Sequence, residues 1–74
     1  MSRLPNLNTT KIIRALKRAG FEYNGQKGSH KYFWNPVTKL QTCVPMHNGD
    51  VKRNLMKEII QQAGLSEEEF RKLL

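Results

Sequence analysis

Apolar residues recur at a helical spacing near the start of the chain, after a short lead-in over residues 1–8. The positions that share one side of this helix are Ile12, Ile13, Leu16 and Ala19. Asn8 or Thr9 can cap its N-terminus, because either side chain can accept a hydrogen bond from a free backbone N–H. Gly20 can take the left-handed conformation that ends helices. The pattern predicts a helix that runs to about Ala19.

The middle of the chain has the short aromatic and β-branched runs that are typical of strands. We expect strands over residues 21–26, 30–35 and 40–44, with Pro45 ending the last one. Residues 27–29 are predicted to form a turn, and Pro36 presets its backbone for a reversal over residues 35–39. Short loops of this kind connect antiparallel neighbours. The pattern therefore predicts a three-stranded antiparallel meander.

Helical spacing returns after a polar loop at residues 47–50. Leu55, Ile59 and Ala63 predict a second helix that Gly64 closes. Ser66 and Glu69 form a capping-box pattern, which predicts a short last helix that carries Phe70, Leu73 and Leu74. The expected fold is α+β, in one domain over residues 1–74. Two apolar helix stripes need a common surface, so the helices are expected to cover one face of the sheet and leave the other open.

The aromatic residues of the second strand can be assigned to the two faces in two ways. In one assignment Phe33 points to the core with Phe21 or Tyr23, and Tyr32 and Trp34 lie with His30 on the open face, where they could stack bases. In the other, Trp34 belongs to the core. Aromatic residues of small domains usually belong to the core, so the pattern alone leaves both assignments open.

The charge of the chain favours a polyanionic partner. Thirteen Lys and Arg against six Asp and Glu give a formal net charge of +7, with a pI near 10.0. Nucleic acid fits this charge better than a membrane surface, which would favour a basic helix with a broad apolar face. The one cysteine, Cys43, reads as a small apolar strand residue. No signal peptide, membrane-spanning run, zinc spacing or cofactor motif is visible, so we expect a cytoplasmic protein without metal or cofactor.

RNA is a substrate that one imidazole can process. It carries its own nucleophile, the 2′-hydroxyl beside each phosphodiester, so an enzyme needs to orient that oxygen, transfer protons and stabilise charge. An imidazole ordinarily has a pKa of about 6.5 and can therefore take or give a proton near neutrality. His30 follows a Lys-Gly-Ser turn, where Gly28 removes a side chain and allows close approach of a phosphate. Taken alone, His30 could equally be an ordinary surface histidine.

The chain resembles the HicA family of bacterial toxins over nearly its whole length. The residues that carry the resemblance are Ala19-Gly20-Phe21, Lys27-Gly28-Ser29-His30 with Phe33, Val44-Pro45-Met46-His47-Asn48-Gly49, and Ile59-Ile60-Gln61-Gln62-Ala63-Gly64-Leu65. The linker before the second helix is shorter than in many members. The resemblance implies a fold similar to the double-stranded-RNA-binding domain, cleavage of messenger RNA, an antitoxin of the HicB type, and catalysis by His30.

Other residues are candidates for binding the RNA. Lys27 and Lys31 flank the histidine, and Lys52 and Arg53 at the start of the second helix would form a phosphate clamp with free backbone N–H groups. Gly28 would let the phosphate approach. Ser29 would contact a phosphate or stabilise the turn, and His47 would act as partner acid, bind phosphate, or be a plain loop residue.

Two other functions are compatible with the sequence. The first is a non-catalytic module that binds double-stranded RNA, with the same fold and basic surface. The second is a protein-binding module whose basic surface meets an acidic partner. The leading hypothesis is a metal-independent endoribonuclease, an mRNA interferase, of a toxin–antitoxin pair.

Overall fold

The computed structural model describes residues 4–46 and 49–74. Its elements in chain order are β1 (Leu7–Asn8), α1 (Thr9–Arg18), β2 (Glu22–Lys27), β3 (His30–Trp34), β4 (Gln41–Pro45), β5 (Asp50–Val51), α2 (Arg53–Gln62) and α3 (Glu67–Lys72). Strands β2, β3 and β4 form an antiparallel sheet in that order. The predicted α+β arrangement of helix, three-stranded meander and two helices is confirmed. None of the described helices is long and apolar enough to cross a membrane.

The helix ends follow the capping signals of the sequence. Asn8 caps α1, since its side chain accepts a hydrogen bond from the backbone N–H of Lys11 at 2.9 Å. The capping box of α3 is complete: the N–H of Glu69 donates to the Ser66 hydroxyl at 3.0 Å, and the N–H of Ser66 donates to the Glu69 carboxylate at 2.8 Å. Helix α2 begins after Lys52, whose side chain makes no capping bond.

One core cluster joins all three helices to one face of the sheet. Its members are Leu4, Leu7, Ile12, Ala15, Leu16, Phe21, Phe33, Val44, Val51, Met56, Ile59, Ile60, Ala63 and Phe70. Phe33 is 1% exposed, and Tyr23 meets its ring edge-on with the centroids 6.0 Å apart. The assignment of Phe33 to the core is therefore confirmed. The assignment of Trp34 to the core is wrong, because neighbouring residues of a strand point to opposite faces.

Helix α2 runs antiparallel to β4. The Thr42 hydroxyl, near the start of β4, donates to the carbonyl of Ile59 at 3.0 Å, and Gly64 lies against Leu40. The C-terminal end of α2 is therefore next to the start of β4. The first turn of α2 points towards the other end of the sheet, where β4 ends.

A second, two-stranded sheet was not expected from the sequence. β1 pairs with β5 in antiparallel register, with Leu7 opposite Val51 and Asn8 opposite Asp50. The prediction of a plain lead-in over residues 1–8 and of a polar loop that includes Asp50 is wrong at these positions. The pair forms because Leu7 and Val51 are both buried. Two-residue strands are too short to show an alternating pattern.

The side chain of Asn35 connects the reversal between β3 and β4 to the end of α1 through hydrogen bonds. It is 4% exposed, and its Nδ2 donates to the carbonyl of Ala19 at 3.2 Å. Its Oδ1 accepts hydrogen bonds from the backbone N–H groups of Val37 at 2.9 Å and Thr38 at 3.2 Å. Gly20 passes close by with a φ of +100°, and a Cβ there would lie 3.3 Å from Nδ2. One buried amide therefore satisfies three backbone groups.

Replacing this amide should destabilise the fold. We expect Asn35→Ala to lower the free energy of unfolding by about 2–3 kcal/mol, because a buried polar group left without its partner costs roughly 1–3 kcal/mol. Asn54→Ala is the control, since Asn54 is exposed on α2, and it should change the stability by less than about 0.5 kcal/mol. Urea unfolding followed by circular dichroism measures both. Equal midpoints for the two variants would contradict this role of Asn35.

Candidate nucleic-acid interface

His30 is the first residue of β3, the middle strand of the sheet, and its side chain is exposed. It is opposite Lys27 on β2 and Pro45 on β4. The two-residue loop between Lys27 and His30 has Gly28 at a φ of +60°, while the φ of Ser29 is not positive. That pattern is typical of a type II′ hairpin, which favours glycine at its first central position. The Gly-Ser pair thus fixes His30 at the end of a tight hairpin.

The β2–β3 hairpin puts four candidate residues at one end of the sheet: Lys27, Gly28, Ser29 and His30. Directly opposed residues of antiparallel strands point to the same face, so Lys27 and His30 share a face. The backbone N–H of Met46 donates to the carbonyl of Ser29 at 2.6 Å, which extends the β3–β4 contact beyond Pro45. A side chain added at Gly28 would meet nothing within 4 Å, so the loop is open to solvent. Residues 29–30 therefore lie against the end of β4. His47 lies outside the described residues.

Lys31 is separated from His30 by the pleat of the strand. It is opposite Val44, and it shares the face of Phe33 rather than that of His30. The side chain is half-buried. Adjacency in sequence suggested that Lys27 and Lys31 act together, but the register brings only Lys27 to the face of His30.

The remaining candidates, Lys52 and Arg53, stand at the start of α2 in the helix layer. Lys52 is exposed and half-buried Arg53 is turned towards the N-terminal segment, where its Nη2 donates to the carbonyl of Leu4 at 3.3 Å. The first turn of α2 points towards the sheet end that holds His30. These two cations therefore belong to the neighbouring layer at that end and are not on the open face itself.

The open face carries aromatic side chains beyond His30. Tyr32 and Trp34 follow at every second position of β3 and are half-buried. Tyr32 is opposite Cys43, and Trp34 is opposite Gln41 on one side and Glu22 on the other. The ammonium group of Lys39 lies 5.6 Å from the centroid of the Trp34 ring, within the range of a cation–π interaction. No sequence signal singles out Lys39, which reads as one turn residue among several.

The described cations are mostly not neutralised by acids of the chain. Among the residues at 4–46 and 49–74, one ion pair forms, between Lys57 and Glu67 at 3.8 Å. Within the same residues, no three side chains of His, Cys, Asp or Glu lie close enough together to hold a metal ion. Most of the described cations therefore make no ion pair within the chain, and the net charge of +7 favours an anionic partner.

One groove of the described surface lies away from His30. It has a volume of about 410 Å³ and lies between the N-terminal segment, α1 and the last two residues. Its lining residues are Pro5, Asn6, Leu7, Lys11, Arg14, Arg18, Leu73 and Leu74. An RNA strand does not need this groove, because RNA can bind on an exposed sheet face without a deep cavity.

Cys43 lies on the open face, opposite Tyr32, and its thiol can serve as a chemical probe of that face. Partial burial raises the pKa of its thiol, and a hydrogen bond from Tyr32 opposes that shift to a smaller extent. A raised pKa leaves less of the reactive thiolate at a given pH. We expect alkylation by iodoacetamide at pH 8 to be severalfold slower in the folded protein than in urea, and to accelerate as the pH rises towards the shifted pKa. A folded rate equal to the unfolded rate would contradict the burial of this thiol.

The comparison with known protein families agrees with the fold and the charge. The family model described as HicA toxin of bacterial toxin–antitoxin matches residues 9–65 of the 74-residue chain. No curated protein matches the sequence. The matched range starts at the first residue of α1 and covers the sheet and α2. The match supports a toxin function, an activity of the nuclease type and an antitoxin as partner. The chain thus belongs to the HicA family, the toxins of bacterial toxin–antitoxin systems.

Proposed function

We propose that this toxin cleaves messenger RNA as a metal-independent endoribonuclease and that His30 is its general acid/base. The observation that carries the proposal is the location of an exposed imidazole on the middle strand of an open sheet face, directly opposite the cation Lys27. An RNA strand can reach His30 there without entering a cavity. The cross-strand neighbour Lys27 supplies positive charge on the same face.

The reaction needs no nucleophile from the protein. An unprotonated imidazole takes the proton of the RNA 2′-hydroxyl, and the 2′-oxygen forms a bond to the adjacent phosphorus. The bond from phosphorus to the 5′-oxygen of the next nucleotide breaks, and that oxygen leaves with a proton from the imidazolium or from water. The products are a 2′,3′-cyclic phosphate and a 5′-hydroxyl. General acid/base catalysis of this kind contributes about 100- to 10,000-fold to a rate.

The other candidates have supporting roles in this proposal. Lys27 stabilises the charge that builds up on the phosphate, because a nearby cation is worth more where water is partly excluded. Gly28 allows the phosphate to approach the loop, and Ser29 supports the turn or contacts a phosphate oxygen. Lys52 and Arg53, in the helix layer at the same end of the sheet, bind phosphates beyond the cleaved one where the RNA leaves the open face. Lys31 lies on the opposite face of β3 and adds positive charge at longer range.

His47 remains a sequence-based candidate for the partner acid. We further propose that the antitoxin is of the HicB type and that the pair acts in the cytoplasm. An acidic partner encoded by the adjacent reading frame would support this, and a positively charged one would contradict it.

Removal of the imidazole should abolish cleavage and leave binding intact. We expect His30→Ala to cut messenger RNA at least about 100-fold more slowly than the wild type, because proton transfer is lost. The exposed position of His30 means that the variant should fold normally. Lys72→Ala is the control, since it removes a cation from α3 on the helix side, and it should cut at the wild-type rate. Gel analysis of the fragments measures cleavage, and a filter-binding assay measures affinity.

Two outcomes would overturn the enzyme assignment. If the wild type and His30→Ala both bind RNA and neither cuts it, the chain is a non-catalytic RNA-binding module. If expression arrests growth equally with and without the imidazole of His30, the toxin acts by another group or route.

The 2′-hydroxyl at the cleaved position should be indispensable. An RNA with one 2′-deoxynucleotide on the 5′ side of the preferred cleavage site should stay intact there, because the attacking oxygen is missing. Cleavage of the unmodified RNA should continue in EDTA and leave 2′,3′-cyclic phosphate ends. Cutting at the deoxy position, or loss of activity in EDTA that added metal restores, would contradict the proposed chemistry.

A further inference from the structure

The open face carries a row of side chains along β3 that extends past His30. His30, Tyr32 and Trp34 occupy alternate positions of one strand, and all three helices lie on the opposite face. At about 3.3 Å per residue, neighbouring members of the row are spaced by about 6.6 Å. The whole row is therefore about 13 Å long.

The side chains in this row and the cations at its two ends suit the binding of a nucleic-acid strand. One end holds His30 with Lys27 beside it, and the other end holds the Lys39 ammonium group over the Trp34 ring. Cations thus stand at both ends, and aromatic rings lie between them. Glu22 is opposite Trp34 on the β2 side, so phosphates are repelled from that edge and favoured near Lys39.

The spacing of the rings discriminates between single and double strands. Stacked bases of a helix repeat every 3.4 Å or so along one strand. The rings of Tyr32 and Trp34, about 6.6 Å apart, are spaced at roughly twice that distance. Two successive bases can each lie on a ring only if the stack between them is opened. In a duplex the bases are paired and stacked, and their faces are not accessible to side chains.

We infer that Tyr32 and Trp34 form a base-stacking platform that makes this toxin selective for single-stranded RNA, with the strand lying along β3. The inference rests on the proposed cleavage by His30. The scissile phosphate lies at His30, two neighbouring bases contact Tyr32 and Trp34, and Lys39 moves from the Trp34 ring to a phosphate. A fold similar to a double-stranded-RNA-binding domain would in this case serve a single-stranded substrate.

Two natural probes on the open face allow a direct test. Trp34 is the only tryptophan and Cys43 the only cysteine of the chain. The test uses the His30→Ala variant, so that the RNA stays intact, with a short RNA of mixed sequence, either single-stranded or annealed to its complement. We expect the single strand to quench the fluorescence of Trp34 and to slow the alkylation of Cys43. The duplex should do neither at an equal fraction bound.

Variants of Tyr32 and Tyr23 distinguish base stacking on the open face from a general effect of losing a tyrosine ring. Tyr32→Leu should weaken the affinity for the single strand by about 10- to 100-fold, since stacking on an aromatic ring is worth about 1–3 kcal/mol per base. Tyr32→Phe keeps the ring and should bind like the parent. Tyr23→Leu removes an exposed ring that packs against Phe33 on the other face, and it should also bind like the parent. The duplex affinity should be the same in all variants.

The possible results distinguish this inference from the proposed activity. If single strand and duplex quench Trp34 equally, or if Tyr32→Leu binds as tightly as Tyr32→Phe, the stacking platform is wrong even if the toxin cuts RNA. If the single strand quenches and protects while the wild type cuts nothing, the platform stands and the nuclease proposal fails. If only an antitoxin protects Cys43 and RNA does not, the open face is a protein-docking face and the inference is overturned.

Discussion

Along β3, each side chain that enters the core is followed by one that faces solvent, and this alternation divides the sheet into a core face and an open face. Phe33 is 1% exposed in a core to which every helix contributes, so the strand cannot slip by one residue without exposing it. The same register that buries Phe33 sends His30, Tyr32 and Trp34 to the open face. The position of the imidazole is therefore set by the packing of a phenyl ring on the opposite face of the sheet.

Much of this arrangement could be predicted from the sequence, because the signals are local. The cap at Asn8, the capping box of α3 and the period of the apolar residues are each read within a few positions. Once Phe33 is assigned to the core, the alternation along the strand places His30 on the opposite, open face. What the sequence could not decide was whether Phe33 or Trp34 is buried, since both alternatives satisfy the alternation and only the packing of the helices against one face decides between them.

Features that depend on distant residues were missed. The pairing of Leu7 with Val51 joins segments more than forty positions apart and leaves no periodic trace in two residues. Asn35 reads as a turn residue, although its amide bonds to the end of α1 make it part of the core. Lys31 was grouped with Lys27 by sequence adjacency, whereas cross-strand pairing is what decides which cation faces the imidazole. His30, by contrast, needed the family resemblance, because an exposed histidine has no structural signature of its own.

The separation of the two faces has a consequence for how such toxins diversify. Side chains on the open face contribute little to the core, so they can be exchanged without loss of the fold, whereas Phe33 or Ile59 cannot. On the proposed role of this face, a lineage can change its RNA preference by altering a few positions of one sheet surface. The buried residues of the helices, which fix the register, remain under a separate selection for stability.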